Sequence, residues 1–100
     1  MTSSVLERDV AAVSVQVIGE RLVVELNDGR SIAAPLVWFP RLVHASTSER
    51  DHWQLWGSGY AIEWPDVDEH ISVAGLLAGR KSGESATSLG RWLATRQSRP

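Results

Sequence analysis

Val13-Ser14-Val15-Gln16-Val17-Ile18-Gly19-Glu20-Arg21-Leu22-Val23-Val24-Glu25-Leu26-Asn27-Asp28-Gly29-Arg30-Ser31-Ile32-Ala33-Ala34 reads as three consecutive strands. Val13, Val15 and Val17 alternate with Ser14, Gln16 and Ile18, and Leu22, Val24 and Leu26 alternate with Val23 and Glu25. A period of two with β-branched residues is the signature of a strand with one buried face. Gly19-Glu20 reads as the first turn. Asp28-Gly29 supplies the second, because tight hairpin turns need positive φ and these residue types tolerate it. Ser31 to Ala34 completes a three-stranded antiparallel meander. Pro35 ends it, having no N–H for the ladder.

Beyond Pro35 the pattern becomes helical and then mixed. Leu36, Phe39 and Val43 have helix-like spacing, and Pro40 suits a first turn, so a short helix is expected over Pro40 to Ala45. Ser46-Thr47-Ser48 offers a cap for a further helical turn over Glu49 to Trp53. Tyr60 to Glu63 reads as a fourth strand extending the meander, with a short strand over Trp53 to Leu55. Pro65 to His70 reads as an acidic turn. Ile71 to Ala78 reads as a helix capped by Ser72, with Gly79 as the residue just past its end. Ser85 to Gln97 reads as the last helix, with Leu89, Trp92 and Leu93 as its apolar stripe. The expected class is therefore α+β: a small antiparallel sheet with two or three short helices. Residues 1–10 read as a leader, 11–79 as the domain, and 80–100 as a basic linker and C-terminal helix.

Bulk composition fits this plan. One hundred residues suit one domain, and 43% hydrophobic content argues against wholesale disorder. There is no cysteine, which removes disulfide frameworks and thiolate metal sites. No apolar run approaches the roughly 20 residues of a membrane span, and Met1 to Asp9 lacks a signal-peptide pattern. The expectation is a cytoplasmic protein without a membrane partner. Net charge is −2, but residues 1–79 carry −6 and residues 80–100 carry +4. Such asymmetry suggests an acidic body with a basic tail, or simply a solvated terminal helix.

The middle of the chain also carries a recognisable order of motifs. Leu26-Asn27-Asp28-Gly29-Arg30 is followed by Ala34-Pro35-Leu36, Phe39-Pro40-Arg41-Leu42, and Ala45 with Glu49-Arg50. Then come Ile62-Glu63-Trp64-Pro65, Asp66-Val67-Asp68-Glu69, Ile71-Ser72-Val73 and Leu76-Leu77-Ala78-Gly79. This order resembles the bacterial domain-of-unknown-function family 2442 over about residues 12–79. The resemblance implies a small α+β domain on an antiparallel sheet. It further implies an antitoxin-like role beside a small partner protein. His70 departs from the pattern, where another acid is expected. Asp28, Gly29, Pro35, Trp64, Pro65, Asp66, Asp68 and Glu69 match the family motifs and are read as structural.

Each candidate for chemistry has a bland alternative. Asp66, Asp68 and Glu69 with His70 offer oxygen ligands for a cation, but a calcium loop needs more ligands and a fixed glycine. Acids just before a helix also serve its exposed N–H groups. His44, His52 and His70 lack metal-ligand spacing. His52, Asp51 and Ser58 make a triad only on paper. Gly57 and Gly59 are half of a dinucleotide fingerprint with no helix behind them. No cofactor or metal is expected, and no role in an enzyme is filled. The five tryptophans are the richest feature. Trp64 is the expected core residue, while Trp38, Trp53 and Trp56 are candidate interface residues, with Leu89, Trp92 and Leu93 as a self-association stripe. Arg91, Arg96 and Arg99, with Arg80 and Lys81, could contact phosphates or an acidic surface. The expected function is a non-enzymatic protein-interaction module, with a nucleic-acid-binding accessory protein as the alternative.

Overall fold

The structure, a computed structural model, describes residues 10–97. The leader expected over residues 1–10 lies outside them except for Val10, and so does Arg99.

Strands β1 (Ala12–Ile18), β2 (Arg21–Leu26) and β3 (Ser31–Pro35) form the expected antiparallel meander in the order β1-β2-β3. At the β2–β3 turn Asp28 Oδ1 accepts from the Arg30 N–H at 3.0 Å, and Gly29 takes φ 92°. Leu22, Val24 and Leu26 all face the core, as their alternation requires. Strand β1 departs from simple alternation. Its pairing jumps from Ala12↔Leu26 to Ser14↔Glu25, a bulge that leaves one residue unopposed. Val13 is therefore turned outward, while Ala12 and Val15 are buried. The expected Val13-Val15-Val17 face is corrected accordingly.

After β3 the chain makes a 3-10 turn over Leu36–Trp38. Two short helices follow, α1 (Pro40–Val43) and α2 (Thr47–Asp51). Proline occupies the first turn of α1. Helix α2 opens with a capping box: Ser46 Oγ accepts from the Glu49 N–H, and Glu49 accepts from the Ser46 N–H.

The fourth strand exists, but it does not extend the meander. Strands β4 (Gln54–Trp56), β5 (Ala61–Trp64) and β6 (Glu69–Ser72) form a second antiparallel sheet, with β5 in the centre. Both edges of β5 are occupied, so it has none left for the first sheet. The segment expected to start a helix at Ile71 is strand up to Ser72, and helix α3 spans Val73–Leu77. Its ends are as expected. Ser72 Oγ accepts from the Gly75 N–H, and Gly79 sits past the C-terminus at φ 76°. The Arg80 N–H donates to the Gly75 carbonyl and the Gly79 N–H to that of Leu76, the paired bonds of a Schellman motif.

The two sheets meet at Gly59. Its carbonyl accepts from the Ala12 N–H at 2.7 Å, at φ 98°. Inner-face residues from both sheets join Phe39, Leu42, Val67, Val73 and Leu76 in one core. Trp64 is fully buried there, as expected, and its Nε1–H donates to the Arg50 carbonyl at 3.0 Å. Helix α4 (Ala86–Gln97) closes the described chain, giving four α-helices among the described residues. None of the described helices is long and apolar enough to cross a membrane.

Candidate functional site

Strand alternation gives β6 two different faces. Glu69 and Ile71 point inward, while His70 and Ser72 point outward. The inward position that an apolar residue normally takes is thus held by a carboxylic acid. Glu69 is only 9% exposed, and among the described residues its side chain makes no hydrogen bond. Burial pushes its carboxyl up to about 7, the negative charges of Glu84 and Asp68 add to the rise, and Arg41 opposes it.

Arg41 and Glu84 lie beside this carboxyl. Arg41 Nε and Nη2 each donate to Glu84 at 2.8 Å. Nη1 donates to the Val67 and Asp68 carbonyls. Glu84 also accepts from Ser88 Oγ at 2.7 Å. The Arg41 hydrogen bonds hold the Glu84 carboxyl below the usual carboxylate range. Lys81 to Glu84, which reads as a flexible linker, therefore includes an anchor. This pair, the turn before β6 and residues 80–85 enclose a cleft of about 650 Å³. Arg80 and Lys81 stand on its rim, and the Lys81 ammonium lies 5.7 Å from the centre of the Trp38 ring.

The expected stripe on the last helix is turned toward the body of the protein. Trp92 packs against the core between two guanidinium groups, Arg41 at 5.1 Å and Arg96 at 4.7 Å from its ring centre. Leu89 and Leu93 are half-buried. Arg96 pairs with Glu49 at 2.8 Å and holds that carboxyl down at about 2. Helix α4 is thus docked by the Arg96–Glu49 pair and by Trp92, the Arg41–Glu84 pair anchors the segment just before it, and Arg96 is engaged within the chain; Arg91 is exposed.

A second feature lies on the outer face of the second sheet. The register sets Gln54 opposite Glu63, and Glu63 opposite His70. Glu63 Oε1 accepts from Trp56 Nε1 at 2.8 Å and from Gln54 Nε2 at 2.7 Å. These bonds, Trp56 first, lower the Glu63 carboxyl. The Trp56 ring meets His70 edge-on at 5.8 Å yet remains 53% exposed, with Tyr60 nearby at 51%. Trp38 and Trp53 are half-buried against the core, so Trp56 alone among these three candidates stands mainly in solvent.

The acids of the turn do not serve a helix N-terminus, because β6 separates them from α3. Asp66 instead meets His52 Nδ1 at 2.8 Å, and Asp68 takes φ 54° within the hairpin loop. His52 makes no hydrogen bond to Asp51 or Ser58 among the described residues, so the paper triad is not assembled. Nor do the described residues gather three His, Asp or Glu side chains able to hold a metal. Sequence reasoning missed Arg41 and Glu84 as a pair. The available signal was Glu84 itself, the single acid in the basic segment 80–100.

Comparisons with known proteins agree with this fold. The family model described as "Protein of unknown function (DUF2442)" matches residues 12–82. A crystal structure of a protein of unknown function from Rhodospirillum rubrum is 27% identical, with a TM-score of 0.64 over 79% of this chain and 96% of that one. The solution structure of an uncharacterized protein from Chromobacterium violaceum is 23% identical, with a TM-score of 0.62 over 86% of this chain and 75% of that one. No curated protein matches the chain.

Proposed function

The chain belongs to the family described as protein of unknown function (DUF2442), and on that premise we propose that it is a non-enzymatic interaction module, acting in an antitoxin-like role within a small two-protein system of the bacterial cytoplasm. The observation that carries the reading is Trp56, a large exposed aromatic side chain held in place by Glu63 and His70. An exposed tryptophan with a fixed orientation costs little further entropy on binding, and tryptophan is enriched among residues that dominate interfaces. Tyr60, in the turn that follows Trp56, is exposed as well. The occupant is a partner protein that packs an apolar group on Trp56 and pairs with the polar row of Gln54, Glu63 and His70 beside it. The antitoxin-like version draws its support from the family resemblance.

The nucleic-acid reading through Arg91, Arg96 and Arg99 has less behind it, because Arg96 already serves Glu49. The test is tagged purification of the native chain and of Trp56→Ala/Tyr60→Ala from the source cell. A small protein recovered in stoichiometric amount with the native chain, and lost from the folded double variant, supports the reading. Equal recovery with both overturns it.

A further inference from the structure

We propose that the cleft beside β6 binds a small zwitterion, with its ammonium group against Glu69 and its anionic group at Arg80 and Lys81.

Glu69 is nine-tenths buried and has no hydrogen-bond partner among the described residues. A buried polar group without a partner is costly, and native proteins leave few of them. The donors beside it are turned to other acceptors. Arg41 spends Nε and Nη2 on Glu84 and Nη1 on the Val67 and Asp68 carbonyls. Ser88 Oγ is likewise committed to Glu84. A donor that enters the cleft would meet this carboxyl.

Charge selects its sign. The titratable and charged groups of the cleft around Glu69 are Arg41 from α1, Asp68 from the β5–β6 loop, His70 next to it on β6, Glu84 from the segment before α4, and Arg80 and Lys81. Arg41 and Glu84 neutralise each other at 2.8 Å and the Asp68 side chain stands in solvent, so Glu69 is the buried acid among these groups left without a paired cation, a place suited to an ammonium group. The rim is opposite in sign. Arg80 and Lys81 are exposed and make no ion pair among the described residues. A ligand that is positive at one end and negative at the other satisfies both regions. About 650 Å³ lies within the usual range of small-molecule sites and accommodates an amino-acid-sized molecule. This site is separate from the Trp56 patch, so either can fail alone.

The experiment is an amide-resolved NMR titration of the full chain with glycine, γ-aminobutyrate and lysine, beside butylamine and butyrate as half-ligands. At least one zwitterion should shift Glu69 and residues 80–84 saturably, and butyrate should not. Below about pH 7 the affinity should fall about tenfold per pH unit, since the ammonium requires ionised Glu69. Glu69→Gln should abolish binding. Arg80→Ala/Lys81→Ala, which leaves the interior untouched, should weaken the zwitterion toward the affinity of butylamine. Absence of saturable shifts with every zwitterion at millimolar concentration overturns the proposal, as does undiminished binding by Glu69→Gln.

Discussion

Replacing Glu69 by glutamine should stabilise this protein above neutral pH and leave it nearly unchanged below about pH 4.5. The carboxyl ionises near 4.5 in the unfolded chain and near 7 in the folded one. Below about 4.5 it is protonated in both states and carries no charge penalty. Between 4.5 and 7 the unfolded chain gives up its proton while the folded chain retains it, so stability falls with rising pH. Above 7 the full cost is present. The difference of these two values is 2.5 pH units, which at 1.36 kcal/mol each gives a ceiling of about 3 kcal/mol. Water in the open cleft screens part of that, and about 2 kcal/mol is expected. Glutamine is neutral throughout, so its stability should lack this slope. The assay is urea unfolding followed by tryptophan emission at about pH 4 and about pH 8.5 for both proteins. Other titrating groups cancel in the difference. A difference of the same size at both pH values would refute the reasoning, because the effect would then come from packing and not from ionisation.

Three further outcomes follow from the same geometry. Arg41→Ala removes the Glu84 pair and the Trp92 contact and leaves Glu84 buried without its cation, so about 2–4 kcal/mol should be lost. Hydrogen exchange over residues 86–97 should then speed up more than over β2. Gly59→Ala should cost at least about 2 kcal/mol in thermal or urea unfolding, since its φ is positive and the new Cβ would strike the Ala12 carbonyl. Glu49→Gln should flatten the acid limb of stability. Arg96 holds Glu49 near 2, so the pair's contribution is present above about 4.5 and lost as pH falls toward 2, about 1 kcal/mol for a partly exposed pair.

The first sheet was legible because every rule there points the same way. Leu22, Val24 and Leu26 bury one face, Asp28-Gly29 turns the chain, and Pro35 ends the ladder. Helix ends were legible for the same reason, since Ser72 and Gly79 act locally. The β1 bulge was not, because Val13 is as apolar as the valines that flank it and only the partner strand reveals the extra residue. The second sheet was misplaced because pairing between β5 and β6 is a tertiary choice that β5's own sequence leaves open. Docking of α4 depends on Arg41 and Glu84, which are 43 residues apart. No local pattern joins them.

Strand β6 was hidden for a more informative reason. Glu69-His70-Ile71-Ser72 has the right period, yet its first inward position carries an acid where a strand of this kind normally carries an apolar side chain. A reader of patterns therefore sees a loop. The fold tolerates this acid because Arg41 stands nearby, although Arg41 directs its hydrogen bonds to Glu84 and two carbonyls and makes none to it. Leucine or glutamine at the same place would remove the ionisation penalty. A residue that breaks the local rule, costs stability at neutral pH and opens onto a cleft is where sequence and fold disagree, and such disagreements gather at working sites. Trp56 offers a different argument, because its exposure costs the fold little and its value lies in what it presents. If Glu69→Gln gains stability and loses zwitterion binding together, the acid is held for its ligand. If it gains stability and the native chain binds no zwitterion, Glu69 is a plain defect of the core, and Trp56 remains the better guide to function.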